Sequence, residues 1–354
     1  MDIIRKPNGF IIKKAKKSRK KIKVPKFAYV LKKTKKRVKE SKILDRINSL
    51  RIPPAYKKVI ISSKPNSKVQ AIGEDEKGRK QYVYSKKHIE SQETVKFKDL
   101  IVFGKHIEKI KRDVNKLIKE AVTILQKDKK KAIKDLSREA IIAVVIFLID
   151  TCNFRVGCEK YKKLYNTYGV TTLDKSHIKT TALGKLMIEF IGKKGVVNKS
   201  QVKDKNVCRI IKLLCDKSGK QFIFRYGEQK VHISERHVNA FLKNYDPKIK
   251  VKMFRTWNAN MILLSKILSY PMPNDSSESK KNINEIIDEA ASMLHHTKSV
   301  SKSSYMNNKI IDLYQDDIGE FKQIFKTVKK KNGGKLPQIS KILTELFIHL
   351  DKKR

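Results

Sequence analysis

Residues 140–149, AIIAVVIFLI, form an unbroken apolar run in a chain of which 33% of the residues are charged. A stretch apolar on every side has no polar face to offer water, so it must be enclosed by other elements. It is too short to span a bilayer, which takes about 20 apolar residues. The expectation is therefore a central helix inside a sizeable core. The chain's 354 residues suffice for one large domain or two moderate ones. The N-terminal MDIIRKPNGF has no apolar region after its charges, so it does not read as a signal peptide. A soluble, intracellular protein is expected, with no membrane partner.

The second constraint is charge. Lys and Arg number 83 against 35 Asp and Glu, a formal net charge of +48. Such a field attracts polyanions, and each cation that meets a phosphate releases a condensed counterion. Nucleic acid is the leading partner on charge alone, with an anionic membrane surface as the weaker rival. Heavy Lys and Ile usage points to an AT-rich genome and says nothing about mechanism. The four cysteines, Cys152, Cys158, Cys208 and Cys215, have no paired CxxC and no zinc-site spacing. They read as reduced, buried thiols. No metal site and no cofactor are expected.

Along the chain, residues 13–39 carry fifteen Lys or Arg and no acid. Such a run repels itself, so residues 1–40 read as a basic N-terminal arm, extended or only locally ordered, with Phe27, Tyr29 and Val30 able to pack as an edge strand. Residues 41–95 contain short β-rich runs, VIISS, KVQAIG and KQYVYS, between turn residues, and read as a small β-rich domain. From 96 to 354 the apolar spacing is mainly helical, with helices expected at 96–125, 206–215, 234–244, 255–269, 280–295 and 336–350. Within it, LMIEFIG and VVNKS flank a Lys-Lys-Gly turn, which predicts a hairpin with Lys193 and Lys194 near its tip. The fold class is α+β.

Candidates for chemistry are scattered: Arg155 in DTCNFRVGCEKY, Lys193 in FIGKKG, Arg255 in KMFRTWNAN, and His296 and Tyr305 in HHTKSVSKSSYM. Taken singly, each fits an ordinary structural role, such as an ion pair, a solvated turn or a helix-surface aromatic. Their order and local contexts together resemble the type IB DNA topoisomerases, most nearly the compact poxvirus-like branch that includes enzymes of other large DNA viruses and some bacteria. The likeness runs from about residue 44 to the C-terminus. RINSLRIPPAYKKVII and QAIGEDEKGRKQYVYSKKH resemble the family's N-terminal DNA clamp, and FRVGCEKY, GVTTLDKSHI, FIGKKG, FRTWNAN and HHTKSVSKSSYM its catalytic domain.

The resemblance implies a C-shaped clamp on duplex DNA, with a monomer as the working unit. It implies relaxation of positive and negative supercoils through a transient nick, without ATP or metal. Tyr305 would attack a phosphodiester to form a DNA 3′-phosphotyrosyl bond. Arg155 and Arg255 would bind the non-bridging oxygens as bidentate forks. His296 would donate a further hydrogen bond, and Lys193 would protonate the departing 5′-oxygen. His296, nine residues before Tyr305, has the family spacing; His295 has no assigned role. The family pattern often has Asp where Lys194 stands, so either lysine of the turn can be the acid. Lys252 and Asn260 would support the site, while Lys80, Gln81, Tyr82, Tyr84 and Lys194 would contact DNA. Two other readings stand beside this one. Tyrosine recombinases share the covalent chemistry, but usually carry His three residues before the second Arg, where this chain has Lys252. A non-enzymatic architectural DNA-binding protein would need only the charge. The likeness also points to a virion or viral factory as the place of action, with a nucleus or bacterial nucleoid as alternatives.

Overall fold

The computed structural model describes residues 2–14, 21–127, 136–181, 185–219, 221–270, 273, 275–295 and 297–352, with backbone alone at 10–14, 21–25 and 217. The chain divides into two compact units, Met1–Lys96 and Phe97–Arg354.

The first unit holds β1 (Ile3–Lys14), β2 (Lys21–Leu31), α1 (Ser41–Ser49), β3 (Lys57–Ile61), β4 (Val69–Glu74) and β5 (Lys80–Tyr84). The strands form one antiparallel sheet in the order β2-β1-β3-β4-β5. Its core gathers Ile3, Val38, Ile47, Val59, Ile61 and Ala71. The expectation of a separate basic arm over 1–40 differs from this arrangement, because β1 and β2 belong to the sheet. The physical reason is Ile3, which is buried and stands opposite Ile61 in the register, so that the chain's start is pinned by apolar contact. Helix α1 was also not expected. Its inward residues, Ile43, Leu44 and Ile47, have helical spacing, but nine residues are too few to stand out among strands.

Helix α2 (Lys86–Lys127) starts ten residues before the expected helix and continues into the second unit. There follow α3 (Arg138–Thr151), α4 (Glu159–Tyr165), β6 (Ile178–Thr180), β7 (Leu186–Ile191), β8 (Val197–Val202) and α5 (Lys205–Ser218). Next come β9 (Arg225–Tyr226), β10 (Val231–His232), α6 (Glu235–Leu242), α7 (Lys252–Ser269) and α8 (Ser276–Met293). The unit ends with α9 (Lys298–Ser304), α10 (Asn308–Asp316), α11 (Ile318–Lys331) and α12 (Ile339–Lys352). β6-β7-β8 make a small antiparallel sheet and β9-β10 a two-stranded ribbon.

The apolar run forms most of α3. Ser137 caps it, its Oγ accepting the Ala140 N–H at 3.1 Å. Every residue from Ala140 to Ile149 is buried except Phe147, which is partly so. At about 1.5–3 kcal/mol for each large aliphatic side chain taken from water, this helix is a principal anchor of the unit. It packs against α6 and α7. On α7, Trp257 meets Phe103 of α2 and Phe347 of α12 edge-on, at 5.7 and 6.1 Å between ring centres. Among the described residues no helix is long and apolar enough to cross a membrane. The cysteines are all free. Cys152 and Cys215 are buried and Cys208 partly so, but Cys158 is exposed at the start of α4, contrary to the expectation of buried thiols.

Candidate active site

The first arginine follows α3 directly. Phe154 is fully buried and meets Phe190 of β7 edge-on at 4.9 Å, so it fixes the chain just before Arg155. The next segment is clipped from the other side. The N–H groups of Val170 and Thr171 donate to the carbonyls of Arg155 and Val156 at 2.8 and 2.7 Å. Gly169 permits this approach, because a Cβ there would lie 2.5 Å from the Gly157 nitrogen and 2.6 Å from the Arg155 carbonyl oxygen. Gly157 itself has φ +101°, a region costly for any side-chain-bearing residue. FRVG and GVTT are thus two halves of one loop that holds Arg155.

The second arginine lies in the first turn of α7 and is only 4% exposed. Its Nη2 donates to the Leu294 carbonyl, at the end of α8, at 3.0 Å. Burial, followed by the like charge of Arg155, lowers its pKa to about 10. That value lies well above neutrality, so Arg255 remains a cation near pH 7.

Both cations meet at Tyr305. Thr297 caps α9, its Oγ1 accepting the Val300 N–H at 3.3 Å, and Tyr305 is the residue at which α9 ends. Met306, 1% exposed, is buried in the core directly after it. Arg155 Nη2 donates to the Tyr305 hydroxyl at 3.5 Å, and the Arg255 guanidinium carbon lies 5.7 Å from the ring centre. Burial pushes the phenol's pKa up. The charges of Arg155 and Arg255, with their hydrogen bonds, outweigh it, and the net shift is downward. The geometry therefore favours a phenolate more than water does.

Asn260 holds this arrangement from below. It is 0% exposed and lies on α7, five residues after Arg255. Its Nδ2 donates to the carbonyls of Tyr305 (2.9 Å) and Thr256 (2.7 Å), and its Oδ1 accepts the Asn307 N–H at 2.8 Å. One buried amide thus ties the tyrosine's backbone to the helix that carries Arg255. Replacing Asn260 by alanine should cost about 2 kcal/mol or more, because buried backbone groups lose their partners. The check is urea unfolding of the variant beside the parent; an unchanged midpoint refutes the expected loss.

The remaining sequence candidates of this unit are placed as follows. Lys193 and Lys194 are exposed at the tip of the β7–β8 hairpin, Lys194 with φ +66°. The tip is closed by Gly192 N–H donating to the Val196 carbonyl at 2.8 Å and by buried Asn198 donating to the same oxygen at 2.9 Å. Lys252 is exposed at the start of α7, one turn before Arg255. His296 lies outside the described residues. His295, left without a role by the sequence, has φ +53° and stacks on Phe154 with ring centres 6.0 Å apart. Burial, then the charges of Arg255 and Arg155, lower its pKa, so the packed ring favours the neutral form. It buttresses the loop that presents Arg155.

In the first unit, β5 alternates in exposure. Lys80, Tyr82 and Tyr84 face outward, the two tyrosines 49% and 40% exposed, with ring centres 6.4 Å apart. A core role for either is therefore excluded. Gln81 lies on the other face, where its Nε2 donates to Asp75 at 3.0 Å, and Asp75 also accepts from Arg79 at 2.7 Å. The Arg79 hydrogen bond is the leading cause that holds the Asp75 carboxyl at about 2.

Comparison with known proteins agrees with this layout. Residues 85–332 match the family described as eukaryotic DNA topoisomerase I, catalytic core, and residues 26–75 match the bacterial DNA topoisomerase IB N-terminal domain. The chain is 33% identical over 288 residues to the DNA topoisomerase 1B of Acanthamoeba polyphaga mimivirus, covering 78% of this chain and 81% of that one. It is 28% identical over 253 residues to the DNA topoisomerase 1B of vaccinia virus (strain Copenhagen), covering 69% and 72% of the two chains. To the DNA topoisomerase 1 of Mycosarcoma maydis it is 27% identical over 255 residues, 63% of this chain but 24% of that one. The chain belongs to the type IB DNA topoisomerases, with poxvirus-like relatives. It is an isomerase whose substrate is DNA.

Proposed function

We propose that Tyr305 is the nucleophile and that Arg155 and Arg255 bind the scissile phosphate. The observation that carries this assignment is the meeting of both guanidiniums at one phenol, 3.5 Å from Arg155 Nη2 and with its ring 5.7 Å from Arg255. The Tyr305 oxygen attacks phosphorus, its proton passing to solvent, and the bond to the 5′-oxygen breaks. The products are a 3′-phosphotyrosyl bond and a 5′-hydroxyl. The arginine forks stabilise the charge gathered on the pentacoordinate phosphorus. Lys193 gives the 5′-oxygen its proton, with Lys252 in support, and His296 donates a hydrogen bond to a non-bridging oxygen. The His296 role rests on its spacing before Tyr305. The free strand rotates, relaxing supercoils of either sign, and the 5′-hydroxyl attacks the phosphotyrosine to restore the duplex. Because the phosphotyrosine keeps the bond energy, no ATP is consumed.

In this reading the working unit is a monomer with both units on one duplex. Tyr82 and Tyr84 contact the DNA from the first unit. Lys80 and Lys194 meet phosphates, and Gln81 reads a base once released from Asp75. The viral relatives support action on viral DNA, in the virion or the viral factory. A plasmid relaxation assay in EDTA without nucleotide tests the whole scheme. Dilute protein should relax both positively and negatively supercoiled plasmid and leave a trapped DNA–protein adduct after a detergent quench. A recombinase would exchange strands between two sites, and an architectural protein would yield no adduct; either result refutes the scheme.

A further inference from the structure

The loop that presents Arg155 is also held by a side chain that the scheme above does not use. His232 lies on β10, with its side chain 16% exposed. Its Nδ1 is 2.5 Å from the carboxylate of Glu159, the first residue of α4, and its Nε2 is 2.6 Å from the Thr171 carbonyl oxygen. Glu159 follows Arg155 by four residues. Thr171, 1% exposed, belongs to the GVTT segment whose N–H groups clip the Arg155 and Val156 carbonyls. One imidazole thus joins both halves of the loop. The Phe222 ring packs against it, with centres 4.8 Å apart.

Carboxylate and carbonyl oxygens only accept hydrogen bonds, so the arrangement is satisfied in full when His232 donates from both nitrogens, as the imidazolium does. The neutral ring keeps a single N–H and leaves one of the two acceptors without a donor. Several other charged groups surround it. Lys162 of α4 lies 5.8 Å from the Phe222 ring centre, and Asp174 is bridged to Phe222. Arg225 stands opposite His232 on β9, and His237 of α6 lies within the field of His232. Of these groups and Glu159, Glu159 is the one that bonds the ring directly.

We propose that His232 is a positioning residue for DNA cleavage: its imidazolium holds both halves of the loop together and so keeps Arg155 aimed at the scissile phosphate. The proposal rests on the assignment of Arg155 to that phosphate. The hold is complete at lower pH, where the ring carries both protons, and is lost as pH rises and one of them leaves.

Single-turnover cleavage of a duplex at saturating enzyme tests it in two full-chain variants. His232→Gln keeps one donor and no charge, and Glu159→Gln leaves His232 itself in place. Each should slow cleavage by up to about tenfold, the worth of one hydrogen bond to a charged group. A loss that acts through Arg155 disappears where Arg155 is absent, so in an Arg155→Ala background neither substitution should slow cleavage further. The ratio of parent to His232→Gln rates should also shrink as pH rises from about 6 to about 9, a range above the carboxylate titrations. It should shrink in step with loss of the ring's second proton, followed by NMR. Loss of the same factor in both backgrounds, a ratio constant across pH, or parent rates in both single variants overturns the proposal. A parent rate for Arg155→Ala alone overturns the assignment of Arg155, and this proposal with it, so the two failures are told apart.

Discussion

A Tyr305→Phe enzyme should form no covalent DNA adduct and relax no plasmid, with activity down by about ten-thousand-fold or more, as when a covalent nucleophile is removed elsewhere. The substitution deletes one oxygen and keeps the ring whose centre lies 5.7 Å from the Arg255 guanidinium, and Met306 still anchors the chain in the core. Folding and duplex binding should therefore persist. Arg155, which in the free protein donates to the Tyr305 hydroxyl, stays available to phosphate. The measurement is a pair of assays on the same preparation: duplex binding by gel shift, and adduct formation after a denaturing quench. Adduct formation by the phenylalanine variant would move the nucleophile elsewhere. Loss of binding along with adduct would show that the hydroxyl serves structure rather than chemistry.

What could be read from the sequence follows from which signals are local. The run at 140–149 announced α3 because an all-round apolar helix has no alternative to burial. The hairpin carrying Lys193 was legible because two β-rich runs flank a glycine turn, and Ile191 does stand opposite Val197. The β1–β2 ribbon was not legible as part of a sheet. Its lysines dominate the composition, while the contact that fixes it, Ile3 with Ile61, joins residues far apart in sequence. Helix α9 was missed for a related reason: it is KSVSKSS, whose serines compete with a helical backbone and leave no apolar stripe. At the site, side-chain chemistry and motif order named Arg155, Arg255 and Tyr305, and the fold brings these three together. Backbone partners were invisible. Nothing in the sequence says that Asn260 grips the Tyr305 carbonyl, that Leu294 accepts from Arg255, or that Gly169 lies against Arg155.

In the proposed scheme either lysine of the hairpin could supply the proton, and the leaving group distinguishes them. A 5′-alkoxide is a very poor leaving group, so removing its general acid should slow cleavage by about 10²–10⁴-fold. Lys193 is in the first position of the tip, whereas Lys194 has the left-handed φ of +66° and is followed by Gly195 at +77°. The two therefore leave the backbone in different conformations and are not interchangeable. Lys193→Ala should show the full loss on an ordinary duplex, and Lys194→Ala should lose only part of its DNA affinity. Replacing the bridging 5′-oxygen of the substrate by sulfur changes the demand, because a thiol with a pKa near about 8.5 departs without a proton. On that substrate Lys193→Ala should cleave at nearly the parent rate, while Arg255→Ala stays slow, since charge on the non-bridging oxygens still needs its fork. Rescue by sulfur is thus the signature of a role in protonating the leaving group, as against a role in holding the non-bridging oxygens. A Lys193→Ala defect that persists on the sulfur substrate, or a rescue seen for Lys194→Ala instead, would move the acid to another residue.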